Sequence, residues 1–240
     1  MTARNPVRRA VQQGFTLVEI AIVLVVIGLL LAAIFKGEEL IIQSRVKSVI
    51  ADFSGVSVAF HGYYDRYGAL PGDDARAAAR WAAAAGGDGD GQVSGTYNNG
   101  NAACVAGVES CSWWDHLRRA EFISGAGATQ PSNVAGGLIG VQSGNGTAPT
   151  YAPVLGGPAG AGGFIVAILC SANLPEKIAI AVDTQLDDGV RTTGTLRGIL
   201  QAAPNPPIPA DATAPGVGGA GSYVETGTNV YTICRALQAP

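Results

Sequence analysis

An uninterrupted apolar segment near the N-terminus constrains the fold of this 240-residue chain more than any other feature. Residues 15–35 contain one acidic residue, Glu19, and no lysine, arginine or aspartate. A helix of about 21 residues is about 31 Å long, which matches the thickness of the hydrocarbon core of a bilayer. The sequence therefore predicts one helix that is able to span a membrane.

The charges on either side of this segment predict its orientation. Arg4, Arg8 and Arg9 precede it without any acidic residue, whereas Lys36 alone follows it closely. By the positive-inside rule the N-terminus lies in the cytoplasm and the rest of the chain is exported. An ordinary secretory signal is the alternative, but its apolar region is shorter and ends in a small-residue cleavage site. Here the expected processing point precedes the apolar run instead.

Glu19 is unusual because a carboxylate inside a membrane helix costs about 2.5–3.5 kcal/mol on insertion scales. Either it reaches the headgroups at the interface, or it has a specific function. The residues around it, Gly14-Phe15-Thr16-Leu17-Val18-Glu19 followed by the apolar run, decide between these readings. They closely resemble the type III signal of type IV pilins and type II secretion pseudopilins.

The resemblance implies a set of functional residues and partners. A prepilin peptidase/methyltransferase would cleave between Gly14 and Phe15 and methylate the new N-terminal Phe15. Glu19 would be the carboxylate used in assembly. The other implied partners are further pilin subunits in a helical filament and an inner-membrane assembly platform. Before assembly the chain would lie in the bacterial inner membrane with a periplasmic head, and afterwards in a periplasmic pseudopilus or a cell-surface pilus.

The helix is predicted to continue beyond the membrane. Apolar residues recur at helical spacing from Ile42 to Phe60, and Gly68 and Pro71 supply the stop signals, so about 50 residues form one helix. The predicted organisation is a leader at 1–14, a transmembrane or filament-core helix at 15–35, an amphipathic continuation at 36–67, and a globular periplasmic or extracellular head at 68–240.

The head is predicted to combine short helices with a small antiparallel sheet. Residues 69–81 indicate a turn and an alanine-rich helix capped by Asp73 or Asp74, and residues 112–123 indicate a second short helix. The predicted strands are Phe164–Cys170, Lys177–Val182 and Tyr223–Cys234, which are rich in Ile, Val, Thr or Tyr. The fold class is therefore α+β and pilin-like: a long helix packed on a small sheet, with long glycine-rich loops.

Two acidic loops are candidates for Ca²⁺, the only cofactor that the sequence suggests. In the first, Asp88 and Asp90 alternate with glycine, although the twelfth position of an EF-hand loop would be Asn99 rather than Glu. The second contains Asp183, Asp187 and Asp188, and some pseudopilins bind calcium in a C-terminal loop. A solvated acidic loop and an ordered turn without metal are the respective alternatives.

The four cysteines all lie on the exported side of the span. Such cysteines predict two disulfides in an oxidising periplasm, with three possible connectivities. We favour Cys104–Cys111, which closes a local loop, and Cys170–Cys234, which ties the last strand to an earlier one and resembles the C-terminal disulfide of pilins. Their irregular spacing and the lack of nearby histidines argue against a metal site.

Nothing in the sequence indicates an enzyme or a general nucleic-acid-binding protein. His61 lies on the long helix and His116 is expected on the surface of a short one, and neither belongs to a known catalytic motif. The net charge is −3, or −6 without the three leader arginines, so no basic field is available for phosphates.

Two functions fit these observations. The first is a structural subunit of a type IV pilus or type II secretion pseudopilus, and the large, loop-rich head favours a minor subunit. The alternative is a membrane-tethered periplasmic ligand-binding module with a pilin-like anchor. Such a module would use Trp113 and Trp114, or the acidic loops, to bind its ligand, although we favour packing in the core for the tryptophan pair.

Overall fold

The computed structural model describes residues 16–99, 108–145, 153–156, 162–208 and 221–237. Its elements are α1 (Leu17–Tyr67), α2 (Ala77–Arg80), α3 (Glu109–Arg119), β1 (Ile139–Ser143), β2 (Ala167–Pro175), α4 (Glu176–Leu186), β3 (Leu196–Leu200) and β4 (Val230–Ala236). The four strands form one antiparallel sheet in the order β1-β2-β4-β3. This long N-terminal helix with a small antiparallel sheet confirms the predicted α+β, pilin-like fold class.

The chain divides into two compact units, residues 1–41 and residues 42–240, and α1 contributes to both. The helix ends where the stop signal predicts. Gly68 follows it with a φ of 64°, and its N–H donates to the carbonyl of Tyr64 at 2.8 Å. Glycine takes up this left-handed conformation without the steric penalty of a Cβ atom, so the helix closes at Tyr67.

Within the second unit, α1 packs on the sheet through one face. Its buried residues recur every three or four positions, as expected of an amphipathic helix: Val46, Val49, Phe53, Val56, Ala59, Phe60 and Tyr63. They form one hydrophobic cluster with Leu169 of β2 and with Tyr231 and Ile233 of β4. The amphipathic continuation of the helix therefore contributes its buried face to the main hydrophobic core of the head.

The opposite face of the sheet is covered as well. Ile168, Cys170, Ile199 and Cys234 belong to a second buried cluster, together with loop residues such as Leu155. Because both faces are buried, β1 is buried along its whole length and β2 for most of its own. This double coverage explains why the strands do not show a simple alternation of apolar and polar residues.

One predicted strand is wrong. Lys177–Val182 lies inside helix α4, which begins directly after Pro175. Ile178, Ala179 and Val182 are buried together on one face of that helix, and this spacing is helical rather than alternating. The β-branched residues suggested a strand, but contact with the core determines the conformation.

The other two predicted strands are displaced from their observed positions, and two strands were not predicted. Phe164–Cys170 overlaps the start of β2, and Tyr223–Cys234 overlaps most of β4. The sequence analysis did not identify β1 and β3, each of which contains a glycine and a polar residue.

The region around the short helices shows one further difference. Helix α3 confirms the helix predicted at 112–123, but the alanine-rich helix α2 has only four residues, and its N-cap position is Arg76 without a side-chain cap. Asp74 accepts a hydrogen bond from the backbone N–H of Arg76 at 2.9 Å, one step before the helix. Asp73 instead accepts hydrogen bonds from the backbone of residues 89–91.

Candidate functional site

The first turn of α1 is closed by a reciprocal pair of polar side chains. Glu19 Oε2 accepts hydrogen bonds from the backbone N–H and from the hydroxyl of Thr16, both at 2.8 Å. In return, Thr16 Oγ1 accepts the N–H of Glu19 at 3.3 Å. This capping box satisfies otherwise unpaired donors at the helix N-terminus, where a negative charge also interacts favourably with the helix dipole. Glu19 is thereby held at the very start of the helix.

The surface around Glu19 is apolar on every side. The large apolar side chains of Leu17–Ile41 are exposed, the most exposed being Leu17 at 86% and the least Ile27 at 47%. Among the described residues, α1 is the one helix long and apolar enough to cross a membrane, a property that N-terminal signal sequences share. So large an apolar surface requires lipid or other apolar helices to cover it.

Charged residues reappear where this apolar surface nears its end. Lys36 Nζ and Glu39 Oε2 form a salt bridge of 2.6 Å, and both side chains are exposed. An exposed pair of this kind contributes only about 0–1 kcal/mol. The pair marks the end of the uncharged stretch of α1, because no residue between Glu19 and Lys36 carries a charge.

Comparison with known families identifies the same segment. Residues 9–35 match the family described as the prokaryotic N-terminal methylation motif. This chain carries the type IV pilin and pseudopilin signal. The motif implies processing by a prepilin peptidase and assembly with other pilins, and with the exposed apolar helix it fits a membrane-anchored pilin precursor. No curated protein and no solved structure shows significant similarity to the chain.

The matched segment contains the predicted processing and assembly residues. Gly14 and Phe15 lie inside it but outside the described residues, so their roles stay predictions that rest on the motif. Glu19 lies inside it and is the carboxylate of the capping box. Both residues of the capping box, Thr16 and Glu19, therefore lie inside the pilin-like signal.

A disulfide fastens the last strand of the head. Cys170 of β2 and Cys234 of β4 are bonded and face each other directly in the register of the sheet, 64 residues apart in sequence. This is the pairing that the resemblance implied. Cys111 is also disulfide-bonded, and its predicted partner Cys104 lies outside the described residues, so the second pairing stays a prediction.

The first acidic loop is larger than its sequence pattern indicated. Asp88 and Asp90 lie beside the carboxylates of Asp73 and Glu109, and one oxygen from each of the four falls within 4.8 Å of the others. Asp73 accepts hydrogen bonds from the backbone N–H groups of Gly89, at 2.6 Å, and of both residues that follow it. Asp73 and Glu109, the two buried members, were not predicted as part of this loop, since only the fold brings them to it.

Burial makes the carboxyl group of Asp73 a weaker acid than usual. Desolvation raises its pKa to about 6, and the neighbouring Glu109 and Asp90 charges add to this increase, while the backbone hydrogen bonds oppose it. An all-oxygen cluster fits the ligand preference of Ca²⁺. However, the oxygens of Asp73 already have backbone donors, and calcium binding here stays a prediction.

In the second acidic loop, each carboxylate is hydrogen-bonded within the protein. Asp183 accepts from the hydroxyl of Tyr223 at 2.6 Å and from the N–H of Gly189 at 3.2 Å. Asp187 accepts from the N–H of Leu196 at 2.8 Å. Asp188 accepts from the backbone of Val190 and the hydroxyl of Thr193. These contacts fasten the start of β3 to the end of α4, and calcium stays a prediction in this loop too.

The tryptophan pair is part of the core rather than a ligand-binding surface. Trp113 is fully buried and stacks on Phe60 with ring centroids 5.6 Å apart, and Trp114 is also buried. This confirms the favoured interpretation of the pair as core residues, and the ligand-stacking alternative is wrong. Acidic loops remain as the ligand surface that the alternative function would need.

The expectation that His116 lies on the surface is also wrong. The ring is fully buried; Nδ1 accepts the N–H of Gly72 at 2.9 Å, so Nε2 is assigned as the donor to the carbonyl of Ala85 at 2.7 Å. Burial lowers its pKa. His116 therefore fastens the 72–85 segment to α3, which is a structural role. His61 is half-buried on α1.

Proposed function

We propose that this chain is a filament subunit of the type IV pilus or type II secretion pseudopilus class, and more specifically a minor subunit. Cleavage between Gly14 and Phe15, followed by methylation of Phe15, would prepare it for polymerisation through α1. The observation that carries the proposal is the methylation motif at residues 9–35 on a helix whose apolar surface is exposed on all sides. Pilins are structural proteins and not enzymes.

The position of Glu19 supports a role in assembly. Cleavage after Gly14 leaves a positively charged amino group four residues before Glu19. When parallel apolar helices pack in a filament, this ammonium and the Glu19 carboxylate of a neighbour are withdrawn from water together. Removing one partner of a buried charge pair costs about 3–5 kcal/mol, so a helix in the wrong axial register would leave both charges unpaired.

The capping box prepares the carboxylate for this role. Because Thr16 donates twice to one oxygen of Glu19, the side chain is held beside the N-terminal turn before any partner arrives. The second carboxylate oxygen has no hydrogen-bond partner among the described residues. It is therefore available to a neighbouring subunit's amino group without loss of the cap.

The head supports a minor rather than a major subunit. Its loops are long and rich in glycine, and a repeating subunit would have to pack each of them against its neighbours. We place the unassembled protein in the inner membrane with a periplasmic head, where disulfides such as Cys170–Cys234 form. Its further partners would be the assembly platform and the other subunits of the filament.

Coexpression with a prepilin peptidase tests the proposal. We expect mass spectrometry to find a mature N-terminus at N-methyl-Phe15, and sheared filament fractions to contain the protein. Glu19→Ala should insert and be cleaved normally but should be lost from filaments. Glu38→Ala, an acidic change on the same helix beyond the apolar segment, is the matched control and should assemble.

Two outcomes would contradict the proposal. A normal filament yield from Glu19→Ala would remove the assembly role of this carboxylate. A processed protein that never enters filaments would instead support the membrane-tethered ligand-binding module.

A further inference from the structure

A small polar cleft lies in the head between α1, the start of β3 and the end of β4. Its volume is about 200 Å³, compared with about 370 Å³ for another cleft of the head. Sites for drug-sized ligands usually enclose roughly 300–1,000 Å³. The residues that line it are Ser57, His61, Thr195, Arg235 and Ala236. Its size suits a ligand of a few heavy atoms.

Arg235 occupies a position where the sheet predicts an apolar residue. Side chains alternate along β4, and Tyr231 and Ile233 point into the cluster formed with α1. Arg235 is the next residue on that face, and it is half-buried. Within the described part of the chain its guanidinium forms no hydrogen bond and no ion pair. A cation that is partly withdrawn from water is unfavourable unless a partner compensates for the lost hydration.

Three other polar side chains line the same cleft as Arg235. Ser57 and His61 are four residues apart on α1 and therefore lie on one face of the helix, one turn apart. Thr195 is fixed beside the strand because its carbonyl accepts the N–H of Ala236 at 3.0 Å. The hydroxyls of Ser57 and Thr195 have no hydrogen-bond partner among the described residues, and neither do the ring nitrogens of His61.

Arg235 gives the cleft a positive charge. No aspartate or glutamate is among the described residues that line it, although the chain as a whole has more acidic than basic residues. The cleft therefore brings together one cation from β4 and three further hydrogen-bonding side chains, two from α1 and one from the residue before β3. Arginine and hydroxyl groups in such an arrangement are suited to the oxygens of an oxyanion.

We infer that this cleft binds a phosphate-class oxyanion, either free or as the exposed end group of a larger molecule. Polar side chains from three separate segments, α1, the start of β3 and β4, suit the several oxygens of a phosphate group better than the two oxygens of a carboxylate. This ligand site is separate from the proposed polymerisation through the apolar helix and does not depend on it.

The test uses the full chain in detergent micelles, with inorganic phosphate as the probe. Isothermal titration calorimetry should show saturable binding, and the melting temperature should rise with phosphate but not with chloride at equal ionic strength. We expect Arg235→Gln to weaken binding at least tenfold and His61→Asn at least threefold, whereas Arg235→Lys retains part of it. Arg76→Gln removes an exposed arginine of the head outside the cleft and should bind like the wild type.

The result that would overturn the inference is an absence of saturable phosphate binding by the wild-type protein. Equal weakening by Arg76→Gln and Arg235→Gln would also overturn it, since general charge would then explain the effect. So would acetate binding as tightly as phosphate. Phosphatidic acid in the micelles is the second arm: if it competes with inorganic phosphate, a lipid headgroup is a source of the ligand, and if it does not, the ligand is a free phosphate group. Should Arg235→Gln fail to fold, Thr195→Val and His61→Asn decide the matter.

Discussion

The end of α3 offers a sharp test of the backbone of the head. Glu121 follows the C-cap residue Ala120 and has a φ of 64°, in the left-handed region. The N–H of Glu121 donates to the carbonyl of Arg118, and the N–H of Phe122 donates to the carbonyl of Leu117, both at 3.0 Å. These two bonds define a Schellman motif, whose left-handed position is usually occupied by glycine. Replacement of Glu121 by glycine should therefore stabilise the protein.

The magnitude follows from three terms. In the left-handed conformation a residue with a Cβ atom destabilises the fold by about 1–2 kcal/mol relative to glycine. Glycine in turn lowers the stability by about 0.5–1 kcal/mol because its unfolded chain is more flexible. Removing a carboxylate from the C-terminal end of a helix adds about 0.3–1 kcal/mol where the charge is not screened. The net expectation for Glu121→Gly is a gain of about 1 kcal/mol, or about 2–4 °C in melting temperature.

Thermal and urea denaturation of the full chain in detergent measure this gain. Glu121→Ala is the matched control, because it removes the same charge but keeps the Cβ atom and its strain. Glu225→Gly is a second control in an exposed loop, at a position without a positive φ, where added flexibility should give no gain. The reasoning is refuted if Glu121→Gly is no more stable than Glu121→Ala.

Four further measurements test the head. Asn133 is buried, and its side chain makes four hydrogen bonds, to Ser171, Ala172, Ala135 and Gly137. Asn133→Ala should therefore lose about 2–4 kcal/mol in urea denaturation, and a loss below about 1 kcal/mol would contradict this role. Breaking the Cys170–Cys234 disulfide by a double alanine substitution should lose about 2–5 kcal/mol in the same assay, compared with the parent protein. Because Asp73 has a pKa of about 6 in the folded protein and 3.8 ordinarily, the folded state holds its proton more tightly. The stability from this group should therefore be present at low pH and be lost as the pH rises through about 6, and Asp73→Asn should flatten that part of the pH profile. Calcium in either acidic loop requires that EDTA lower the melting temperature, and an unchanged melting temperature would remove that prediction.

The features predicted correctly are those encoded by neighbouring residues. The apolar run, its single carboxylate and the terminating Gly68 are all read within one helix, so its length and its end follow directly from the sequence. The amphipathic continuation is equally local, because contact with the sheet depends on a spacing of three or four residues. The capping box is local as well, because Thr16 and Glu19 are three residues apart, but their pattern was interpreted only as part of a processing signal.

The features missed depend on contacts between distant segments. Lys177–Val182 contains β-branched residues, but its contacts with the core place it in a helix. The cluster around Asp88 includes Glu109 from α3, and no local spacing connects the two. His116 is buried, and its ring is hydrogen-bonded to Gly72 and Ala85, which the sequence of α3 alone does not reveal. In each case the deciding partner lies in another element.

The same distinction explains what each part of the molecule can be expected to do. The segment matched by the methylation motif has its chemistry in consecutive residues, and its exposed apolar surface requires a partner outside the subunit. The head is different, since the buried charged side chains of its described residues have partners inside the protein, as Glu176 has in the backbone N–H groups of Thr226, Gly227 and Asn229. Arg235 is half-buried on the helix-facing side of β4 and has no such partner among the described residues. It is therefore where we expect the head itself, rather than the apolar N-terminal helix, to meet a ligand.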